Sequence, residues 1–158
     1  MRDVSRHRVG IASLTVVAVA AAVIGADDLS KSWARRALAQ HAHHVVGPLW
    51  WRLQYNSGVS FSLGASRSPL AVMLSSAVLV AIVALASRAA PGWAALGWGL
   101  VVGGGLGNLW DRLHSPIHQV TDFISVGGFP VFNVADAALT LGFAILAILV
   151  VAGRRVWR

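Results

Sequence analysis

Three carboxylates and two carboxamides lie close together in a part of the chain that is otherwise apolar. They occur within residues 103–136 and are Asp111, Asp122, Asp136, Asn108 and Asn133. Ionisable side chains at membrane depth are energetically costly, so they indicate a functional site by default. Two carboxyl groups brought together do not both ionise easily, so one keeps its proton while the other acts as a base. Such a pair can activate water against a peptide carbonyl and then protonate the leaving amine.

Two Asn–Asp pairs have the i, i+3 spacing that places both side chains on one helical face: Asn108 with Asp111, and Asn133 with Asp136. In each pair the Asp is a candidate catalytic group and the Asn its hydrogen-bonding partner. For Asp111 we favour the alternative, an ion pair with the neighbouring Arg112. For Asp136 the alternative is capping of a helix N-terminus, where carboxylates are favoured. We disfavour it, because Asp136 lies inside an apolar run and past a natural capping position.

Asp122 lies in V-T-D-F-I, between apolar residues rather than turn formers, and is predicted to occupy the loop between the last two helices. Asp122 and Asp136 are therefore the predicted catalytic pair. Whether folding brings the two carboxylates together is a question that the sequence leaves open.

Metal binding is a weaker interpretation of the polar residues. The spacings of the histidines match no helical or strand ligand set, so no metal site is expected. The histidines concerned are His41, His43, His44, His114 and His118. The chain has no cysteine, which excludes thiolate nucleophiles and thiolate metal sites.

The composition indicates a membrane protein that positions these groups on helices. Hydrophobic residues make up 56% of the chain and charged residues 12%, against about 25% charged in soluble domains. The net charge of +7 comes mainly from Arg residues at segment ends, which is typical of topology signals and not of nucleic-acid binding. We predict one all-α membrane domain over 1–158. Its helices cover about 9–27, 69–87, 92–110 and 132–153, and its external segments about 28–68 and 111–131.

Arginines before the first helix and after the last favour an orientation with both termini in the cytoplasm. Five of the six acidic residues then meet at the outer face. The mixed, polar segment from about Leu29 to Ser68 is expected to hold a short sheet or an interfacial helix. Gly99, Gly103 and Gly107 repeat every four residues and predict a smooth helix face for close packing.

Taken together, the motifs resemble the lipoprotein signal peptidase (type II signal peptidase) family of bacteria over nearly the whole chain. The residues that carry the resemblance are Asp27 with Lys31; Asn56 and Gly58 with Phe61; Gly104, Gly107, Asn108, Asp111 and Arg112; Asp122 in V-T-D-F-I; and Phe132, Asn133, Ala135 and Asp136. The resemblance implies a four-helix aspartic protease of the inner membrane, with its active site at the extracytoplasmic face. It also implies that the segment from Trp50 to Gly64 forms a small external sheet that holds the substrate. Its substrates would be prolipoproteins, cut just before a diacylglyceryl-modified cysteine.

The resemblance also implies roles for individual residues. Asp122 and Asp136 are expected to be the catalytic residues, with no metal and no organic cofactor. The residues expected to bind substrate or support the site are Asn56, Gly58, Gly104, Asn108, Asp111, Arg112, Asn133, Asp27 and Lys31. The expected partners are lipid-modified prolipoproteins and membrane lipids, with no nucleic acid, and the protein is expected to be monomeric. A short loop of roughly 125–130, with Gly127 and Gly128 as hinges, is expected over the active site.

Two other function classes remain as alternatives. A small transporter or proton-conducting protein would use its carboxylates as a relay, but it would spread them through the depth of the helices. A structural membrane subunit would use them only to pair with Arg112 and Lys31.

Overall fold

The computed structural model describes residues 2–57, 69–116 and 118–158, with side chains described for 10–57, 72–116 and 118–158. In this part of the chain, helices α1 to α4 and strands β1 to β3 form a mostly helical fold with a small antiparallel sheet. The elements in chain order are α1 (Arg2–Ala37), β1 (His43–Val46), β2 (Leu49–Asn56), α2 (Pro69–Ala86), α3 (Trp93–His114), β3 (Val120–Val126) and α4 (Val134–Val151).

Helix α3 is the central helix and contacts α1, α2 and α4. Its glycines allow this close packing: a Cβ at Gly99 would lie 2.7 Å from the Cβ of Val19 on α1. A Cβ at Gly103 would meet α1 in the same way, and one at Gly104 would lie 2.5 Å from the carbonyl oxygen of Ala135 on α4. The predicted smooth glycine face is thus confirmed, and α3 uses it to approach α1 while Gly104 admits α4.

Helix α1 continues to Ala37, ten residues beyond the predicted end at residue 27. The charged residues Asp27 and Lys31 suggested a helix end, but they are four residues apart and form an ion pair of 2.6 Å inside the fold. Both side chains are buried, so the charges belong to the helix interior. Helix α3 likewise runs past its predicted end and keeps Asp111 within the helix.

Asp122 lies in strand β3, and its predicted placement in a loop was wrong. The segment V-T-D-F-I-S-V is rich in β-branched and aromatic residues, which favour a strand. Strand β3 pairs with β2, which also pairs with β1, and the register places Asp122 opposite Gln54. A small sheet is thus present, but only β2 overlaps the predicted range, since β1 precedes it and β3 comes from beyond α3. The position of the sheet outside the membrane stays a prediction. The predicted sheet residues 58–64 lie outside the described part of the chain.

One face of the sheet packs on the last turns of α1. Phe123 lies against Ala34 and Leu38, and its ring is 6.1 Å from that of Trp33 in an edge-to-face contact. This contact holds the C-terminal part of α1 beside the strand that carries Asp122.

The short loop predicted at 125–130 is largely a turn after β3. Gly127 has a positive φ of 55° and donates its backbone N–H to the carbonyl of Pro48 at 2.9 Å. The turn therefore lies beside the β1–β2 turn, and its role over an active site stays a prediction.

Two helical segments, Gly10–Ala37 and Val134–Val151, have the length and apolar composition to cross a membrane, judged over the described residues. The apolar stretch Val72–Ala86 is shorter. Helix α3 carries glycines and the charged Asp111 and Arg112 near its end. The predicted four-span topology and its orientation stay predictions.

Candidate active site

Asn133 connects the two predicted catalytic carboxylates. It is fully buried just before α4. Its side-chain Nδ2 donates to Asp122 Oδ1 at 2.7 Å and to Asn108 Oδ1 at 3.1 Å. Its backbone N–H donates to Asp136 Oδ2 at 3.2 Å. Asp122 and Asp136, the candidate dyad, thus both accept hydrogen bonds from Asn133, although Asp122 lies on a strand and Asp136 on a helix.

Asp136 occupies a helix-capping position, so the prediction that it lies past one was wrong. Helix α4 begins at Val134, which makes Asn133 the N-cap and Asp136 the third helical residue. Asn133 Oδ1 accepts the backbone N–H of Asp136 at 2.9 Å, and Asp136 Oδ2 accepts the backbone N–H of Asn133. The two bonds together form a capping box. The other oxygen, Oδ1, accepts from Asn108 Nδ2 at 2.8 Å. Capping holds one oxygen of this carboxylate and leaves the other directed toward α3.

Asp122 is 1% exposed and receives an amide N–H on each oxygen. Asn133 donates to Oδ1, and Asn56 Nδ2 donates to Oδ2 at 3.0 Å. The pKa of Asp122 is raised to about 6, chiefly by burial and also by the negative charge of Asp136, while both amide hydrogen bonds oppose the rise. A carboxyl group with a pKa near 6 exchanges its proton close to neutral pH, as general acid–base catalysis requires.

Lys31 fixes the orientation of the Asn108 amide. This ammonium is 1% exposed and lies 3.1 Å from Asn108 Oδ1. Because an ammonium only donates hydrogen bonds, it must face the carbonyl end of the amide. The amide nitrogen of Asn108 then points to Asp136. The charge of Lys31 is balanced by Asp27 at 2.6 Å and by Asp111 at 3.4 Å.

Asp27 attaches α1 to the first turn of α4. Its Oδ1 accepts the backbone N–H of Ala135 at 2.9 Å, which suits a carboxylate at a helix N-terminus. A Cβ at Gly107 would lie 2.7 Å from Asp27 Oδ2, so the absent side chain at Gly107 admits this carboxylate. The N-terminal turn that carries Asp136 is therefore held from a second helix.

Asp111 supports strand β3. Its Oδ2 accepts the backbone N–H of Thr121, the residue before Asp122, at 2.8 Å. The ion pairs described for Asp111 join it to Lys31 and Arg35, each at 3.4 Å, so the predicted pairing with Arg112 is wrong. Asp111 thus fixes the backbone of β3 at the residue before Asp122.

Arg112 donates through Nη1 to the carbonyl of Asn108 at 3.3 Å. Its Nε is buried and has no acceptor among the described residues. The guanidinium is within electrostatic range of Asp122 and Asp136. A buried donor of this kind beside two carboxylates is available to an incoming acceptor.

The remaining predicted residues fall into distinct places. Gly104 faces the backbone of α4, so its position serves helix packing. Gly58 lies outside the described residues. His114 and His118 bond to backbone carbonyls. The described residues contain no group of three or more His, Cys, Asp or Glu arranged to hold a metal ion.

Sequence reasoning missed Arg35 and Thr121. Arg35 Nη1 donates at 3.0 Å to Oγ1 of Thr121, the residue before Asp122. The signal for Arg35 is its spacing: it lies four residues after Lys31 and eight after Asp27, so all three share one face once α1 is known to continue.

Comparison with known proteins places this chain in a family. Residues 19–152 match the sequence profile of the family described as signal peptidase (SPase) II. The lipoprotein signal peptidase of Mycobacterium leprae (strain Br4923) is 33% identical over 144 residues, which covers 87% of this chain and 72% of that protein. The lipoprotein signal peptidase of Mycobacterium avium (strain 104) is 34% identical over 144 residues, covering 87% of this chain and 79% of that protein.

Solved structures show the same fold. One described as a bacterial membrane enzyme has a TM-score of 0.76 at 24% identity, covering 87% of this chain and 88% of that one. A second with the same description has a TM-score of 0.74 at 25% identity, covering 86% of this chain and 92% of that one. Because the family profile extends from α1 through α4 and includes every described site residue, this chain belongs to the signal peptidase II family, a family of proteases.

Proposed function

We propose that this protein is a membrane aspartyl endopeptidase that removes signal peptides from diacylglyceryl-modified prolipoproteins just before the lipidated cysteine. Family membership implies cleavage of prolipoprotein signal peptides. The observation that carries the aspartate chemistry is the shared residue Asn133, which bonds to Asp122 through its side chain and to Asp136 through its backbone. Two carboxylates held by the side chain and the backbone of the same buried residue support an acid–base pair.

In the proposed mechanism, water lies between Asp122 and Asp136, which together hold one proton. The ionised carboxylate removes a proton from the water molecule as the water oxygen attacks the scissile carbonyl carbon. The protonated carboxyl donates to the carbonyl oxygen and stabilises the developing negative charge. A proton then passes from the dyad to the leaving nitrogen as the peptide bond breaks. The raised pKa of Asp122 supports this sharing of a proton near neutral pH.

Substrate contacts are proposed for Arg112, Asn56 and Gly58. The buried Nε of Arg112 has no described acceptor, so it suits a peptide or ester carbonyl of the substrate. Asn56 is the last residue of β2 and donates to Asp122 Oδ2, and we propose that it binds the substrate peptide, as does Gly58. Asn108 and Asn133 are proposed to orient the dyad, because their amides are already bonded within the site.

The proposed setting is the bacterial inner membrane, with four spans, both termini in the cytoplasm and the dyad at the extracytoplasmic face. The apolar segments Gly10–Ala37 and Val134–Val151 support membrane insertion. Asp136 lies in the first turn of α4, so the dyad is at one end of a proposed span. A substrate anchored by its own lipid would approach that level from within the bilayer. We propose a monomer that uses no metal or organic cofactor.

Cleavage of a diacylglyceryl-modified prolipoprotein by purified protein in lipid tests the proposal. Asp122→Asn and Asp136→Asn nearly preserve shape but remove the proton-transfer group, so each is expected to lower kcat by at least about 1000-fold. Asp28→Asn is the matched control, because Asp28 is an exposed acidic residue next to the buried Asp27. Substantial turnover by either folded dyad variant would remove that residue from the mechanism. An intact substrate with the wild type would overturn the proposed activity.

A further inference from the structure

We infer that Arg35 is a positioning residue that holds Asp122 in its reactive place by clamping strand β3 from the face opposite the dyad. The inference deepens the proposed function and rests on it. Arg35 lies outside the motifs that carry the family resemblance, and its role follows from contacts that the fold creates.

The clamp is a set of hydrogen bonds around one guanidinium. Arg35 Nη1 donates to Thr121 Oγ1 at 3.0 Å and lies 3.4 Å from Asp111 Oδ1. Arg35 Nη2 donates to Ser32 Oγ at 3.2 Å, one turn earlier on α1. The planar guanidinium therefore joins α1, α3 and β3 at a single point, as its fixed arrangement of donors allows.

The clamped residue is directly linked to the dyad. Thr121 precedes Asp122, and successive side chains of a strand point to opposite faces, so Thr121 faces α1 while Asp122 faces Asn133. The backbone of Thr121 is held as well, because its N–H donates to Asp111 Oδ2 at 2.8 Å. Thr121 is 3% exposed, so its hydroxyl is fixed by this contact and not by solvent. Movement of Thr121 would displace the carboxylate of Asp122.

Arg35 completes a row of charged residues on one face of α1. Asp27, Lys31 and Arg35 are spaced four residues apart, which corresponds to about 6 Å per step along a helix. Asp27 contacts α4, Lys31 contacts α3, and Arg35 contacts β3. These are the three elements that carry Asp136, Asn108 and Asp122. One rigid helix thus sets the distances between the parts of the site.

The effect of losing Arg35 should appear in turnover and not in stability. The Arg35 side chain is 36% exposed and its ion pair with Asp111 is 3.4 Å long, so the pair contributes little to folding. Catalytic geometry is far more sensitive, since a displacement of about 1 Å can lower a rate by about 100-fold.

Arg35 is also a position where substitution is structurally mild. With Asp111 and Thr121 it lines a cavity of about 440 Å³. The described lining of this cavity includes neither Asp122 nor Asp136, so a shorter side chain at position 35 opens space that the dyad does not line.

The test compares Arg35→Met with Arg36→Met in cleavage of the diacylglyceryl-modified prolipoprotein. The two variants lose the same charge from adjacent positions of α1, but Arg36 is exposed and lies outside the described clamp. We expect Arg35→Met to lower kcat by about 10- to 100-fold with an unchanged KM, and Arg36→Met to match the wild type. Arg35→Lys should recover part of the loss, because an ammonium can bond to Thr121 Oγ1 but cannot reproduce the guanidinium fork.

Thr121→Val provides a second route to the same effect. It removes the hydroxyl acceptor and keeps the β-branched shape and the backbone bond to Asp111. We expect a reduced kcat, and little further reduction when Arg35→Met is added, because both changes break the same contact. If the double variant lowers kcat by the product of the two single reductions, the two changes act independently, and the clamp is contradicted.

Hydrogen exchange of the backbone amides in residues 120–126 tests the clamp without any activity. Exchange should be faster in Arg35→Met than in Arg36→Met. If the wild type cleaves substrate and the two Met variants have equal kcat, the positioning role of Arg35 is overturned while the proposed function stands. If the wild type leaves the substrate intact, the proposed function fails. Equal exchange in the two variants would then overturn the clamp as well.

Discussion

The ammonium of Lys31 lies 3.1 Å from the side-chain oxygen Oδ1 of Asn108, and this contact determines which end of the Asn108 side-chain amide faces Asp136. An amide has one accepting and one donating end. With its oxygen held by a buried cation, Asn108 can only donate to the carboxylate. A helix that carries no member of the dyad therefore sets the hydrogen bonding of Asp136.

Loss of Lys31 should destabilise the protein strongly. Lys31→Met leaves Asp27 and Asp111 buried without their shared cation, and breaking a buried ion pair costs about 3–5 kcal/mol. Thermal unfolding in detergent should show a clearly lower Tm. The double variant Asp27→Asn/Lys31→Met should regain part of that stability, because it removes one of the unpaired charges. A double variant no more stable than Lys31→Met would show that the Asp27 charge is not the cause.

Helix packing at Gly107 gives a prediction about the same ion pair. A Cβ at Gly107 would lie 2.7 Å from Asp27 Oδ2, so Gly107→Ala should push this carboxylate from its contacts and lower the Tm. Gly25→Ala on α1 is the control, because nothing lies within 4 Å of its added Cβ. There the better helix propensity of Ala should stabilise the helix by up to about 1 kcal/mol. Opposite signs at the two glycines are the expected result, and equal signs would contradict the packing argument.

The pH dependence of stability should include a contribution from Asp122. Its pKa is about 6 in the folded protein, above the ordinary value of 3.8, so the folded state binds the proton more tightly. Stability from this group is therefore present at pH below 3.8 and is lost as the pH rises through 6. Chemical unfolding at several pH values should show this fall in the wild type and a smaller one in Asp122→Asn. An identical slope in the two proteins would show that the pKa of Asp122 is not raised.

Asn56 should affect the pH dependence of catalysis. Its hydrogen bond to Asp122 Oδ2 favours the ionised carboxylate and lowers the pKa of Asp122. In Asn56→Ala, the pH–rate limb that reports Asp122 should move to higher pH, with reduced activity. Gln54→Ala is the control, because Gln54 is an exposed residue of the same strand. A profile that moves equally in both variants would mean that the shift comes from the strand as a whole.

Local patterns in the sequence predicted much of the scaffold. The apolar runs predicted the four helices to within a few residues at most of their ends, and the glycine spacing predicted the close face of α3. Local spacing was misleading at Asp136. The helix starts at Val134 and not at about 132, and this difference of two residues makes Asp136 the third helical residue, within a capping box.

The sequence by itself determined the family, the helical framework and the residue types available to a site, because motifs and periodicity are properties of neighbouring residues. Only the tertiary structure decided which of those residues meet. Lys31 is 77 positions from Asn108, Arg35 is 86 from Thr121, and Asp27 is 108 from Ala135. Contacts over such separations depend on how α1 and β3 pack against α3, since that packing places charges where no local pattern records them.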